Sequence, residues 1–117
     1  MSAKHINQKE FQDIFKTSKY VLVDFYADWC PPCKMMSPII DRFSQDPELS
    51  QITFVKVNVD EEQGLSMQFG IQSIPTFILF RATKNGGYEI VSKFIGGQEP
   101  ITFKTKLMQA AQNVIDI

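Results

Sequence analysis

Cys30 and Cys33 are the two cysteines of this 117-residue chain, and they lie three positions apart in Trp29-Cys30-Pro31-Pro32-Cys33. A secreted mini-protein stapled by disulfides carries more cysteines, further apart. A bridge closing so short a loop would stabilise the fold little, because the gain in chain entropy grows with loop length. Structural zinc takes four Cys or His ligands. The only histidine, His5, lies in a separate segment, so no metal site is expected. What remains is a dithiol that opens and closes.

Such a pair needs one sulfur poised to attack and one poised to resolve. If Cys30 follows a strand and opens a helix, the helix N-terminus offers it unpaired N–H groups and partial positive charge. Both favour thiolate over thiol, and thiolate is the nucleophile in disulfide exchange. Positions i and i+3 of a first turn share one face within disulfide range, so Cys33 could attack a mixed disulfide held on Cys30. Pro31 and Pro32 lack N–H groups, which a first helical turn can spare. Proline at 31 also biases Cys30 towards an extended backbone. The two prolines should stiffen the loop in both redox states.

Asp24 is the next informative residue. It stands inside the apolar run Val21-Leu22-Val23-Asp24-Phe25-Tyr26. Burial penalises a carboxylate and should raise its pKa. Two compatible roles follow. Lys56, from another apolar run, could satisfy it as a counter-ion, or Asp24 could accept the Cys33 proton during exchange.

The surrounding pattern supplies the elements that would position these groups. Asn7-Gln8-Lys9-Glu10 is a capping-box signal, and Phe11, Ile14 and Phe15 repeat at helical spacing, predicting a helix over 8–18. Tyr20 to Ala27 reads as a strand buried on both faces, and Ile52 to Val59 as a second. Between them Met36, Ile39, Ile40 and Phe43 mark a helix that Pro38 should kink. A short helix falls within Asp60 to Gly70, with the Asp60-Glu61-Glu62 run favouring its N-terminus. Thr76 to Arg81 and Tyr88 to Phe94 read as strands joined through Lys84-Asn85-Gly86-Gly87. Pro100 opens a last helix with Phe103, Leu107, Ala111 and Val114 on one stripe. Alternation followed by a hairpin implies a mixed sheet with helices on both faces. Pro75 precedes an apolar strand, which is an ordinary place for proline, and its peptide isomer stays open.

Composition narrows the classes. Twelve Lys and Arg against thirteen Asp and Glu give a net charge of −1, which offers phosphate no long-range attraction. A hydrophobic share of 44% argues for a folded chain of one domain. No apolar run approaches the ~20 residues of a membrane span. The polar N-terminal stretch lacks the apolar segment of a secretory signal, so a cytoplasmic location is expected.

These pieces together resemble the thioredoxin family. The resemblance rests on Val23-Asp24-Phe25-Tyr26-Ala27-Asp28-Trp29-Cys30, on Cys33-Lys34-Met35-Met36-Ser37-Pro38, and on Lys56-Val57-Asn58-Val59-Asp60. Ile74-Pro75-Thr76 and Ile95-Gly96-Gly97 complete it. The resemblance covers nearly the whole chain. It implies an α/β thioredoxin fold over 1–117: a central mixed five-stranded sheet flanked by four helices, with a short first strand near Lys4 to Ile6. It implies that Pro75 is cis and faces the dithiol, and that Trp29, Pro32, Ile74, Pro75 and Gly96 dock substrate. It further implies a monomeric protein-disulfide reductase that maintains redox homeostasis without a bound cofactor. Its electrons would come from NADPH through a flavoprotein thioredoxin reductase, and its substrates would be disulfide-containing proteins such as peroxiredoxins.

Two departures qualify the pattern. The family usually has Gly-Pro between the cysteines, and Pro31-Pro32 is instead similar to tryparedoxins and nucleoredoxins. The hairpin from Ala82 to Tyr88 is also longer than usual, as a tolerated loop insertion would be. The resemblance therefore leaves three further roles to weigh: a dedicated electron donor to peroxidases, an oxidase or isomerase, and a binding subunit that does no chemistry.

Overall fold

A computed structural model describes residues 3–112. In chain order the elements are β1 (Lys4–His5), α1 (Gln8–Ile14), β2 (Tyr20–Tyr26), α2 (Pro31–Phe43) and a 3-10 turn (Pro47–Leu49). Then follow β3 (Ile52–Asn58), α3 (Gln63–Gln68), β4 (Thr76–Ala82), β5 (Tyr88–Ile95) and α4 (Pro100–Gln112). The five strands form one mixed sheet in the order β1-β3-β2-β4-β5. β1, β3 and β2 run parallel, while β4 and β5 pair antiparallel.

The sheet is central because β2 and β3 carry apolar side chains towards both faces. On one face Tyr20, Leu22, Phe54 and Phe77 pack against Met36 and Ile40 of α2 and Phe103 and Leu107 of α4. On the other, Val21, Val23, Phe25 and Val57 pack with Phe11 of α1 and Leu65 of α3. The Phe103 ring pins α4, with centroids 5.9, 5.1 and 5.1 Å from Phe43, Phe77 and Phe94. Val114, predicted for the same stripe, lies outside the described residues.

Local signals explain most boundaries. Asn7 accepts the Glu10 N–H at 2.9 Å and donates its own N–H to the Glu10 carboxylate at 3.0 Å, the reciprocal cap expected of α1. α1 stops at Ile14, short of the predicted 18. Residues 15–17 form a turn in which Lys16 N–H bonds the Asp13 carbonyl and Thr17 N–H bonds that of Ile14. This tighter turn keeps Phe15 buried while redirecting the chain into β2. α2 continues through Pro38, which lacks the N–H that would bond the Lys34 carbonyl. Gly70 stops the α3 region at φ +61°. The hairpin turns through 83–87, where Thr83 N–H bonds Gly87 and Gly86 takes φ +83°. The 3-10 turn was not predicted, although Asp46-Pro47 is a cap followed by an N1 proline.

Candidate active site

Cys30 leaves β2 through Ala27 and becomes the N-cap of α2, with an extended backbone at φ −95° and ψ 111°. Pro31 and Pro32 occupy the next two positions, where no N–H is needed. The first free amide is that of Cys33, and it points back to Cys30 Sγ at 3.3 Å. Thus the helix end places a donor on the Cys30 side of the pair. The two cysteines are joined as a disulfide with Cα atoms 5.2 Å apart.

Both cysteines are equally buried, but their surroundings differ. Cys30 Sγ lies 3.8 Å from the Ile74 carbonyl oxygen. The Ile74–Pro75 peptide is cis, as the resemblance implied, and Gly96 donates its N–H to the Pro75 carbonyl at 2.8 Å. Gly96 does so at φ +85°, a backbone conformation that favours glycine. Ile74, Pro75 and Gly96 therefore meet on the Cys30 side. Trp29 is exposed beside the pair, and its indole N–H donates to Asp60 at 2.9 Å. An apolar groove of about 430 Å³ continues from Pro32 past Met35 and Ile39 to Gly97 and Pro100. Cys33 instead borders a cleft of about 390 Å³ with Tyr26, Ala27, Asp28, Lys34 and Ser37.

Asp24 lies on the sheet face covered by α2 and is 1% exposed. Burial pushes its pKa up to about 7; the Lys56 charge pulls it back only in part, and the Asp41 carboxylate adds to the rise. Its Oδ1 has no hydrogen-bond partner among the described residues. Lys56 is its register partner on β3, yet Lys56 Nζ bonds Ser37 Oγ at 2.6 Å and Asp41 Oδ1 at 2.9 Å. The expectation that Lys56 would satisfy Asp24 directly is thus corrected: Lys56 acts on Asp24 only through its field. Burial works to raise the Asp41 pKa, but hydrogen bonds from Lys56 and the Ala3 amide, with the Lys56 and His5 charges, hold it below the ordinary value.

Three contributors escaped the sequence reading. Ser37 and Asp41 were invisible as partners of Lys56, although their spacing of four does put them on one helix face. Asp60 was read as helix-favouring charge; the α3 N-cap, Glu62, makes no side-chain cap bond, and Asp60 binds Trp29. His5 is exposed as expected and meets the Tyr26 hydroxyl at 2.7 Å. Among the described residues no three His, Cys, Asp or Glu side chains are grouped to hold a metal ion.

The arrangement can alternate between dithiol and disulfide at a helix N-terminus, and the buried Asp24 lies on the sheet face that α2 covers. Comparison with known proteins agrees. The family profile described as Thioredoxin matches residues 2–113. A thioredoxin of Alicyclobacillus acidocaldarius is 38% identical over 107 residues, covering 92% of this chain and 96% of that protein. The structure of Malassezia sympodialis thioredoxin (Mala s 13) superposes with a TM-score of 0.79 at 31% identity, over 94% of this chain and 91% of the other. A structure from work on thiol resolution in yeast mitochondrial 1-Cys peroxiredoxin via glutathione/thioredoxin systems gives 0.75 at 30% identity, over 92% and 95%. On the profile match and the near full-length identity, the chain belongs to the thioredoxin family of dithiol–disulfide oxidoreductases.

Proposed function

We propose that the protein is a general protein-disulfide reductase in which Cys30 attacks and Cys33 resolves. In the reduced state the Cys30 thiolate attacks one sulfur of a substrate disulfide. A Cys30–substrate disulfide forms and the other substrate sulfur leaves as thiolate. The Cys33 thiol then gives its proton to Asp24, and its thiolate attacks Cys30 Sγ. The Cys30–Cys33 bond forms, the second substrate sulfur leaves, and the protein has lost two electrons to the substrate. The observation that carries this reading is the Cys33 amide directed at Cys30 Sγ from the head of α2, because it stabilises negative charge on that sulfur when Cys30 attacks or leaves. Pro31, Pro32 and Pro75 hold the loop in place, and Trp29, Ile74 and Gly96 receive the substrate backbone.

In this reading the protein works as a monomer of one domain in the cytoplasm. A flavoprotein thioredoxin reductase returns two electrons from NADPH to it. The Pro31-Pro32 pair, shared in type with tryparedoxins and nucleoredoxins, favours a second reading as a dedicated donor to peroxidases, and the likeness to a structure from the yeast peroxiredoxin work supports testing it. A coupled assay separates the two. Insulin reduction driven by NADPH and thioredoxin reductase, and abolished by Cys30→Ser with Cys33→Ser, is expected of the general reductase. Turnover only with a low-molecular-weight dithiol and a peroxidase would favour the dedicated donor. Full function retained in the double variant would mean a binding role without chemistry.

A further inference from the structure

Asp24 and Lys56 stand side by side on parallel strands, so their side chains share one face of the sheet. In that arrangement a direct ion pair is the simple outcome. It is absent because α2 offers Lys56 two other partners one turn apart, Ser37 at 2.6 Å and Asp41 at 2.9 Å. Asp41 is itself fixed, since its Oδ1 also accepts the Ala3 N–H at 3.0 Å. Lys56 is buried, and a buried ammonium is held in place by such contacts rather than by water. Ser37 also borders the cleft that reaches Cys33.

We propose that Ser37 and Asp41 are positioning residues that anchor the Lys56 ammonium to α2, off the Asp24 carboxyl, and so leave Asp24 able to take up a proton. This rests on the reading of Asp24 as acceptor for the Cys33 proton. An ammonium bonded to Asp24 would stabilise the carboxylate and weaken its grip on a proton. Among the described residues the titratable groups that act on Asp24 are few: Lys56 from β3, Asp41 from α2, and Tyr26 from its own strand. β4 presents Phe77, which does not titrate, and His5 of β1 acts on Asp41.

The test follows the Asp24 side-chain carboxyl carbon by NMR through a pH titration of the reduced protein, in wild type, Asp41→Asn and Ser37→Ala. Asparagine at 41 keeps an oxygen for the Ala3 N–H. The Asp24 midpoint should fall by about one pH unit in Asp41→Asn, which loses a charge and frees Lys56. It should fall by less in Ser37→Ala, which loses only the hydrogen bond. Unchanged midpoints in both variants overturn the proposal. So does a shift confined to Asp41→Asn, since Asp41 would then act by charge alone. If Asp41→Asn does not fold, Ser37→Ala decides. The pH profile of mixed-disulfide resolution reads the acceptor role separately: a titration that moves while that profile stays fixed overturns the acceptor reading and leaves the anchor standing.

Discussion

The ammonium of Lys56 bonds Asp41 at 2.9 Å and not Asp24, its register partner across β2 and β3. Asp24 therefore has no direct counter-ion among the described residues, and burial raises its pKa from 3.8 to about 7. Stability should depend on pH accordingly. Between about pH 4 and pH 7 the folded protein keeps a proton that the unfolded chain has released. That contribution is fully present below this window and lost as pH rises through 7. Asp24→Asn has no such loss. It should match wild type near pH 4 and exceed it by about 3–4 kcal/mol above pH 8, in urea unfolding at the two pH values. An equal difference at both would contradict the assignment.

The same variant should exchange slowly. With the proposed acceptor for the Cys33 proton removed, resolution of a mixed disulfide should slow by about 10²-fold near neutral pH. Stopped-flow measurement from about pH 6 to 9 checks this, and rates equal to wild type throughout would remove Asp24 from the mechanism.

The two cysteines should trap differently. Cys33→Ser keeps Cys30, the proposed attacking sulfur beside Ile74, and loses the proposed resolving one. It should accumulate a stable mixed disulfide with substrate on Cys30, seen by mass spectrometry. Cys30→Ser should accumulate far less. Equal trapping on either sulfur would reverse or erase the assigned roles.

Gly96 joins the proposed substrate side through its bond to Pro75 at φ +85°. Alanine in the left-handed region costs about 1–2 kcal/mol, so Gly96→Ala should disturb that loop. KM for a protein disulfide should rise several-fold while exchange with a small dithiol stays near wild type. A parallel loss with both would place the effect in the fold instead.

Phe103→Ala tests the packing of α4. The ring is fully buried among Phe43, Phe77 and Phe94, and its removal should cost about 3–5 kcal/mol in urea unfolding. A cost below about 1 kcal/mol would mean that α4 repacks freely.

The legible features were those carried by neighbours in sequence. Cys30 and Cys33 declare a dithiol by spacing, and Asp24 declares its burial by the apolar residues beside it. Both faces of β2 could be read because Val21, Leu22 and Val23 alternate between the two cores. The length of α1 was overestimated because Phe15 continues the apolar spacing while its backbone has already left the helix. The cis state of Pro75 followed only from the family resemblance, since the residues alone left either isomer open. The partners of Lys56 and Trp29 were not legible at all. Lys56 is 15 residues from Asp41 and Trp29 is 31 from Asp60, and only the packing of α2 and the β3–α3 loop decides which acceptor each side chain meets.

The reduction potential of the Cys30–Cys33 pair tests the central claim most directly. The protein would be equilibrated in defined thiol–disulfide buffers and followed by the fluorescence of Trp29, the only tryptophan and the neighbour of Cys30. A disulfide reductase should poise near about −270 mV, at the reducing end of the scale. A potential near about −180 to −120 mV, where isomerases and oxidases operate, would contradict the account and assign the dithiol to forming or shuffling disulfides.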